Sequence, residues 1–304
     1  MISGVEVLPD AAAVARRGVD VIMAEAQSAA VARGVCAFAL SGGRTPRPLY
    51  ERLARRDVGG RLPWRRIHLY WSDERCVPPD DPASNYGMAK ELLIDRVDVP
   101  DANVHRMHGE HEPAEAAAAY EAELRLPPLG AGPAEAGEKA AGGGAPRRRS
   151  AVAAPGSPRP SATLPGAGGA PDTEGGGRPP VLDLVLLGLG RDGHVASLFP
   201  HAAALSEEER LCVATEAPDG GARLTMTFPM INAARQVVLA VTGEEKAGMV
   251  AEVMQGLRIP DAVPAQRVEP DLGEVLWLLD EAAASELSGA RGSSTGGSPS
   301  PASD

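Results

Sequence analysis

The chain has 304 residues, of which 43% are hydrophobic and 3% aromatic, and it carries a formal net charge of -11 at pH 7. This length allows one large or two small domains with a core of small aliphatic side chains, and the acidic charge argues against a general nucleic-acid-binding surface. Three widely spaced cysteines, and no leader-like or membrane-spanning apolar segment, lead us to expect a cytoplasmic protein that binds neither nucleic acid nor a membrane.

Strands and helices alternate along the chain. The pattern predicts strands at residues 5–8, 35–40 and 67–71, a short strand at 104–107, and helices at 11–32, from 45–46 onward, at 84–95 and at 114–126. Ser84 is a candidate N-cap for the helix at 84–95. After residue 180 the pattern predicts strands at 181–187, 236–241 and 275–279 and a helix at 244–254. Such alternation favours an α/β fold with a mainly parallel sheet and helices on both faces.

Residues 127–180 interrupt this pattern with a segment dominated by Gly, Pro and Ala. Such a composition cannot bury enough apolar surface to offset the entropy of ordering the chain, so we predict a disordered insertion. The alternative is a docking segment that uses the three arginines at 147–149, but no other feature of the sequence supports it. The tail at 286–304 is rich in Gly, Ser and Pro and is also predicted to be disordered. The expected organisation is therefore one domain over 1–285, interrupted by the insertion.

The turn after the strand at 35–40 has the composition of an anion-binding loop. Two glycines allow a sharp bend with exposed N–H groups, and the following helix adds the partial positive charge of its N-terminus. We predict a phosphate site formed by Ser41, Gly42, Gly43 and Thr45.

Charged residues directly follow the strand at 67–71. Asp73, Glu74 and Arg75 lie where that strand ends, and the carboxyl ends of parallel strands are the usual position of a ligand site. Asp73 is the preferred functional candidate because it comes first after the strand, whereas a solvated ion pair is a serious alternative for Glu74.

The segment LDLVLLGLGRDGHVASLFPH, residues 182–201, holds the strongest catalytic candidate. A buried strand ends in spaced glycines, and His194 follows beside Asp192, a position suited to proton transfer near neutral pH. The glycines match the dinucleotide pattern G-x-G-x-x-G, but Asp192 would face the pyrophosphate, so we expect no dinucleotide.

Two further features have weaker signals. The histidines at 105, 108 and 111 are spaced like ligands, but Gly109 and Pro113 break any helix that would align them, so we predict no metal site. Lys246 lies near a helix start, an unfavourable position for a cation, which hints at an anionic partner.

Five segments together resemble the glucosamine-6-phosphate isomerase/6-phosphogluconolactonase family. They are, in chain order, SGGRTPRPLY, WSDERCVPPDDPASNYGMAKELL, GLGRDGHVASLFP, RLTMTFPMINAAR and VTGEEKA. The resemblance implies a Rossmann-like three-layer α/β/α sandwich, similar to glucosamine-6-phosphate deaminase and ribose-5-phosphate isomerase, without organic cofactor or catalytic metal. Residues 195–200, VASLFP, lack the glutamate that the deaminases carry there, which points to the lactonase branch.

This branch implies hydrolysis of 6-phospho-D-glucono-1,5-lactone to 6-phospho-D-gluconate in the oxidative pentose phosphate pathway. In the resulting hypothesis, neutral His194 is the general base, Asp192 or Asp73 orients it or binds sugar hydroxyls, and backbone N–H groups around Gly190 stabilise the oxyanion. The remaining expected substrate contacts are Arg223 and Lys246 on the phosphate, together with the turn at 41–45, and Arg75 as an extra contact.

The function and the oligomeric state stay open at this stage. The alternative functions are an amino-sugar-phosphate isomerase/deaminase and a non-catalytic sugar-phosphate-binding module. The only expected partner is a phosphorylated sugar lactone, and the chain is expected to be a monomer or a homodimer.

Overall fold

Six parallel strands form the main sheet of the computed structural model, which describes residues 4–129 and 179–288. In spatial order the strands are β1 (Gly4–Leu8), β9 (Glu274–Asp280), β8 (Gln236–Val241), β5 (Leu184–Leu187), β2 (Cys36–Leu40) and β3 (Ile67–Trp71). Every neighbouring pair is parallel, which confirms the predicted sheet type. The chain runs outward from β2 to β3 on one side and from β5 to β8 and β9 on the other. The strand order therefore reverses between β2 and β5, and ligand sites of open α/β sheets lie at such a switch point.

The central strands are apolar along their whole length. Every residue of β2, CAFAL, and of β5, LVLL, is buried, as expected for strands covered on both faces. The flanking helices are α1 (Ala11–Ala32), α2 (Arg47–Leu53), α3 (Arg56–Gly59), α4 (Asn85–Leu92), α5 (Pro113–Leu124), α6 (Phe228–Asn232) and α7 (Ala247–Gln255). Among the residues that the structure describes, no helix is long and apolar enough to cross a bilayer.

Side-chain caps explain where three of these helices begin. Ala13 N donates to the Asp10 carboxylate at the start of α1, and Gly87 N donates to Ser84 Oγ at the start of α4. Glu112 accepts in the same way from Glu115 N before α5. The predicted cap at Ser84 is thus confirmed, although α4 ends at Leu92, three residues before the predicted end.

The structure contains a second, antiparallel sheet that the sequence pattern did not predict. It consists of β4 (Asp73–Arg75), β7 (Ala222–Met226) and β6 (Cys212–Glu216), in that spatial order. The strand predicted at 104–107 is wrong, because only an isolated bridge from Val104 to Leu69 forms there. Since β4 starts two residues after β3 ends, the chain passes directly from the main sheet into the second sheet.

The predicted insertion lies mostly outside the described residues. Residues 130–178 and 289–304 are not described, so the predicted disorder of the insertion and of the tail stays a prediction. At the edge of the insertion, Leu129 is 8% exposed and belongs to the core cluster. The ordered domain therefore continues beyond the predicted boundary at residue 127.

A buried carboxylate joins the start of β5 to its neighbours. Asp183 accepts a hydrogen bond of 2.8 Å from Ala37 N and forms ion pairs with Arg33 at 2.5 Å and Arg235 at 3.4 Å. Its side chain is 6% exposed, so these partners replace most of its hydration. Asp183, the polar residue of an otherwise apolar segment, therefore has a structural role.

We expect Asp183→Ala to lower the free energy of unfolding by about 2 kcal/mol, because it leaves the buried Ala37 N–H without an acceptor. Urea denaturation measures this change. Asp57→Ala is the control, since Asp57 pairs with Arg55 on the surface and its loss should leave the midpoint unchanged. Equal midpoints for Asp183→Ala and the unmodified chain would contradict this role.

Candidate active site

A cavity lies at the carboxyl ends of β2 and β5, where the strand order reverses. Its volume is about 750 Å³, which is ample for a hexose phosphate. Four parts of the chain supply most of its walls: residues 41–46 after β2, the β4–α4 region, residues 188–194 after β5, and residues 242–246 after β8. Ala11 at the start of α1 and Asp280 at the end of β9 also line it. The sequence therefore folds so that several strand ends contribute to one site.

The turn after β2 is held by a buried tyrosine. The Tyr50 hydroxyl donates to Ser41 O at 2.7 Å and accepts from Ser41 N at 3.1 Å. Gly43 has φ +94°, which glycine adopts without strain. Ser41 Oγ is buried and has no hydrogen-bond partner among the described residues. A buried hydroxyl normally has a partner, so this atom is free to bond a ligand in the cavity.

Positive charge gathers beside this turn. Lys246, Arg44 and Arg191 line the cavity, and Glu245 pairs with Arg44 at 3.0 Å. Burial lowers the pKa of Lys246, and the neighbouring Arg191 lowers it further, against the attraction of Glu245. These cations make the pocket favourable for an anion.

The sequence pattern predicted Lys246 as a site residue but no other residue of the loop after β8. Thr242 Oγ1 lies 3.3 Å from Thr45 Oγ1, and Gly243 N donates to the Asp280 carboxylate at 3.0 and 3.1 Å. The sequence does contain a signal for this loop: an apolar run is followed by Thr-Gly. The strands β2 and β5 are likewise followed by glycine-containing turns.

His194 forms a hydrogen bond with Asp192. His194 Nδ1 and Asp192 Oδ1 are 2.5 Å apart, and the Phe199 ring packs against the imidazole with centroids 4.8 Å apart. Burial raises the pKa of Asp192, but the hydrogen bond and charge of His194 outweigh burial, so the pKa lies below its usual value. An ionised Asp192 accepts from Nδ1–H, which leaves the Nε2 lone pair of a neutral imidazole free to take a proton.

Of the two aspartates considered for orienting His194, the structure brings Asp192 to the imidazole. The Asp73 carboxylate, 7% exposed, instead accepts from Ser197 Oγ at 2.8 Å. Asp73 still lines the same cavity and is available to a substrate there.

The backbone N–H of Gly190 does not have the predicted role of stabilising the oxyanion. This N–H donates to His194 O at 2.8 Å inside the turn, so it is not available to stabilise an oxyanion. A Cβ at this position would lie 2.2 Å from His194 Nδ1 and 2.4 Å from Asp192 Oδ1. The missing side chain at 190 is therefore what leaves space for the His194–Asp192 pair.

Arg75 lines the cavity, whereas Arg223 does not. The β4–β7 register pairs Arg75 with Arg223, but Arg223 is absent from the described residues that form the cavity wall. Its guanidinium pairs with Asp219 at 3.3 Å and donates to Ala222 O. The expected phosphate contact of Arg223 is therefore not supported by its position.

Asn85 is a site residue whose position in the sequence, directly after the predicted cap Ser84, indicated only the start of a helix. It is 1% exposed, lines the cavity and bonds both Asp73 and Arg75. Glu74, in contrast, turns away from the cavity and accepts from Tyr86 N and Asn85 N at the start of α4. Burial raises the pKa of Glu74, and these backbone hydrogen bonds oppose the rise.

The histidines at 105, 108 and 111 do not form one cluster. His105 bonds Glu123 at 2.7 Å, while His108, Glu110 and His111 bring their ligand atoms within 4.8 Å of one another. All three of the latter are exposed, and Arg106 already binds Glu110 through both carboxylate oxygens. This competition does not favour a metal there, and the expectation of no catalytic metal or cofactor stays a prediction.

Comparisons with known proteins agree with this geometry. A family model described as glucosamine-6-phosphate isomerases/6-phosphogluconolactonase matches residues 9–136 and 158–277. A 6-phosphogluconolactonase from a Nostoc species is 38% identical over 285 residues, covering 93% of this chain and 98% of that protein. One from a Synechocystis species is 39% identical over 256 residues, 84% of this chain and 86% of its own length.

Solved structures show the same fold. The 6-phosphogluconolactonase of Trypanosoma brucei superimposes with a TM-score of 0.69 at 26% identity, covering 93% of this chain and 98% of that one. A monomeric glucosamine-6-phosphate deaminase gives a TM-score of 0.66 at 18% identity, with 93% and 99% coverage, and shows the fold alone.

Fold and site together define an α/β protein whose switch point combines a glycine turn, flanked by Lys246 and two arginines, with a histidine–aspartate pair. The chain belongs to the glucosamine-6-phosphate isomerase/6-phosphogluconolactonase family, because the family model covers most of it and relatives above 30% identity align over nearly its whole length. The resemblance predicted from the five sequence segments is thereby confirmed.

We expect Lys246→Ala to weaken the binding of inorganic phosphate about tenfold, because it removes one charge-assisted contact from the cavity. Calorimetric titration with phosphate at low salt measures the dissociation constant. Lys90→Ala is the matched control, since Lys90 pairs with Asp95 away from the cavity and its loss should leave binding unchanged. Unaltered binding by Lys246→Ala would contradict the assignment.

Proposed function

We propose that this chain hydrolyses 6-phospho-D-glucono-1,5-lactone to 6-phospho-D-gluconate, the lactonase step of the oxidative pentose phosphate pathway. Relatives that align over most of its length are named 6-phosphogluconolactonase. The observation that carries the proposal is the presence of the His194–Asp192 pair, the glycine turn at 41–45 and the cationic Lys246 in the walls of one cavity. Lactone hydrolysis of a sugar phosphate needs a base and a phosphate-binding group at once.

The phosphate end of the substrate would bind at the turn after β2. Gly42, Gly43 and Thr45 belong to this turn, and Ser41 Oγ is a buried hydroxyl that has no partner within residues 4–129 and 179–288. Backbone N–H groups at the bend and the charge of Lys246 complete an environment that favours a dianion.

The chemical step would begin at His194. The Nε2 lone pair takes a proton from water while the water oxygen forms a bond to the lactone carbonyl carbon. The resulting tetrahedral oxyanion collapses, the bond from the carbonyl carbon to the ring oxygen breaks, and His194 returns its proton to that ring oxygen. The products are the carboxylic acid and the free hydroxyl, so atoms and protons balance.

Asp192 and Arg75 would support this step in different ways. The ionised Asp192 stabilises the imidazolium that forms when His194 takes the proton, and its hydrogen bond fixes the tautomer. Arg75 adds a fixed positive charge to the cavity, where negative charge develops on the carbonyl oxygen. Asp73 is free to accept hydrogen bonds from sugar hydroxyls.

The remaining expectations belong to the same proposal. The catalytic unit would be a single domain within residues 1–285 that tolerates the insertion at 127–180, and the enzyme would act in the cytoplasm as a monomer or a homodimer. Glucosamine 6-phosphate should release no ammonia, since the segment at 195–200 lacks a glutamate. Ammonia release would instead favour the deaminase alternative.

We expect His194→Ala to lower kcat by roughly 10²–10⁴-fold, because it removes the general base while leaving the cavity intact. The assay uses freshly prepared lactone and subtracts the spontaneous rate of opening, measured without enzyme.

His201→Ala provides the control for this experiment. His201 also bonds an aspartate, Asp261, at 2.6 Å, but it is exposed and lies outside the described cavity wall. Its removal should leave kcat unchanged. Near-normal turnover by His194→Ala would remove His194 from the role of base.

A further inference from the structure

Asn85 connects two charged residues of the cavity through one buried side chain. It is the first residue of α4, is 1% exposed, and lines the same cavity as Asp73 and Arg75. A buried amide in a cavity wall is costly unless its donors and acceptor are satisfied, so its hydrogen bonds indicate what it does.

The amide oxygen of Asn85 fixes Arg75. Arg75 Nη1 donates to Asn85 Oδ1 at 2.7 Å and to Ala83 O at 2.6 Å. Both acceptors come from the segment around the start of α4, so one edge of the guanidinium is held against that segment. Because an arginine has only donors, the oxygen of the amide must face it.

The amide nitrogen of Asn85 fixes Asp73. Nδ2 donates to Asp73 O at 2.8 Å and lies 3.3 Å from Asp73 Oδ1. The other carboxylate oxygen accepts from Ser197 Oγ at 2.8 Å. The carboxylate is therefore held on both sides, and the orientation of the Asn85 amide satisfies Arg75 and Asp73 together.

The same amide packs against the anion-binding turn. A Cβ on Gly42 would lie 1.7 Å from Asn85 Oδ1 and 2.3 Å from its Cγ. The turn and the amide are thus in direct contact, which requires glycine at position 42. One side chain consequently meets the anion-binding turn, the cavity cation and the cavity carboxylate.

The backbone of Asn85 is itself anchored. Its N–H donates to Glu74 Oε1 at 2.7 Å, and Glu74 Oε2 accepts from Tyr86 N and from Ser84 Oγ. The buried Glu74 carboxylate therefore ties the start of α4 to β4. This anchoring leaves the Asn85 side chain little freedom to move relative to Arg75.

We propose that Asn85 is a positioning residue that sets the geometry of Asp73 and Arg75 for the lactone reaction. The inference rests on the proposed function and extends it. Asn85 does not itself react, and no hydrogen bond joins it to Ser41, Thr45 or Lys246, the groups assigned to the phosphate. Its side-chain hydrogen bonds join it to Asp73 and Arg75, whereas its contact with the turn is packing against Gly42.

The test is steady-state kinetics of Asn85→Ala and Asn85→Asp with fresh lactone. Misplacing catalytic groups by about 1 Å costs on the order of 10²-fold, so we expect Asn85→Ala to lower kcat by roughly 10–100-fold with KM changed by less than about threefold. Asn85→Asp keeps an acceptor for Arg75 but loses the donor to Asp73 and adds a like charge, so it should not restore kcat.

Ser84→Ala is the matched structural control. It removes the helix cap and the bond from Ser84 Oγ to Glu74, but no residue of the cavity wall. The bonds from Asn85 N and Tyr86 N to Glu74, which anchor Asn85, do not involve the Ser84 side chain. Thermal melting is recorded for every variant, and Ser84→Ala should keep normal kcat despite its lower melting temperature.

The possible outcomes separate the inference from the proposed function. If the unmodified chain does not exceed the spontaneous rate, the proposed function fails and this inference fails with it. If the unmodified chain is active, normal kcat in Asn85→Ala overturns the inference alone. A loss of kcat in Ser84→Ala equal to that in Asn85→Ala also overturns it, since the role would then be structural.

Discussion

The hydrogen bond between His194 and Asp192 depends on the absence of a side chain at position 190. Any Cβ there would overlap both His194 Nδ1 and Asp192 Oδ1. A backbone hydrogen bond from Gly190 N to His194 O closes the same turn. Imidazole and carboxylate are thus held at 2.5 Å within one short loop. In physical terms, the position of His194, the proposed general base, depends on a steric constraint within five residues.

The rest of the site forms where the carboxyl ends of several strands of the main sheet lie close together. The apolar strands β2, β5 and β8 each end in a glycine-containing turn, and parallel strands bring these turns to one edge. The end of β9 contributes Asp280, which binds Gly243 N and holds the loop that carries Lys246. The small antiparallel sheet adds the residues that lie between these turns, Asp73 and Arg75. The proposed phosphate site and the proposed general base therefore lie at the ends of separate strands of one sheet.

The sequence predicts the parts of this framework that depend on local pattern. The apolar runs of β2, β5 and β8 predict buried strands, and the glycines after them predict turns at their carboxyl ends. The second sheet was not predicted, because β4 has three charged residues and its pairing with β7 is set by tertiary contacts. For the same reason Arg223 was predicted at the phosphate, whereas in the structure it pairs with Asp219. The roles of Asn85 and Gly190 depend on neighbours brought close only by folding, so composition and spacing could not reveal them.

Gly190→Ala measured beside Gly188→Ala tests the central claim most directly. Both glycines line the cavity, but a Cβ at 188 meets nothing within 4 Å, whereas a Cβ at 190 overlaps the pair. At saturating lactone, we expect Gly190→Ala to lower kcat by on the order of 10²-fold, because the base is displaced. Gly188→Ala should keep kcat near that of the unmodified chain. Normal kcat in Gly190→Ala, or an equal loss in both variants, would contradict the account.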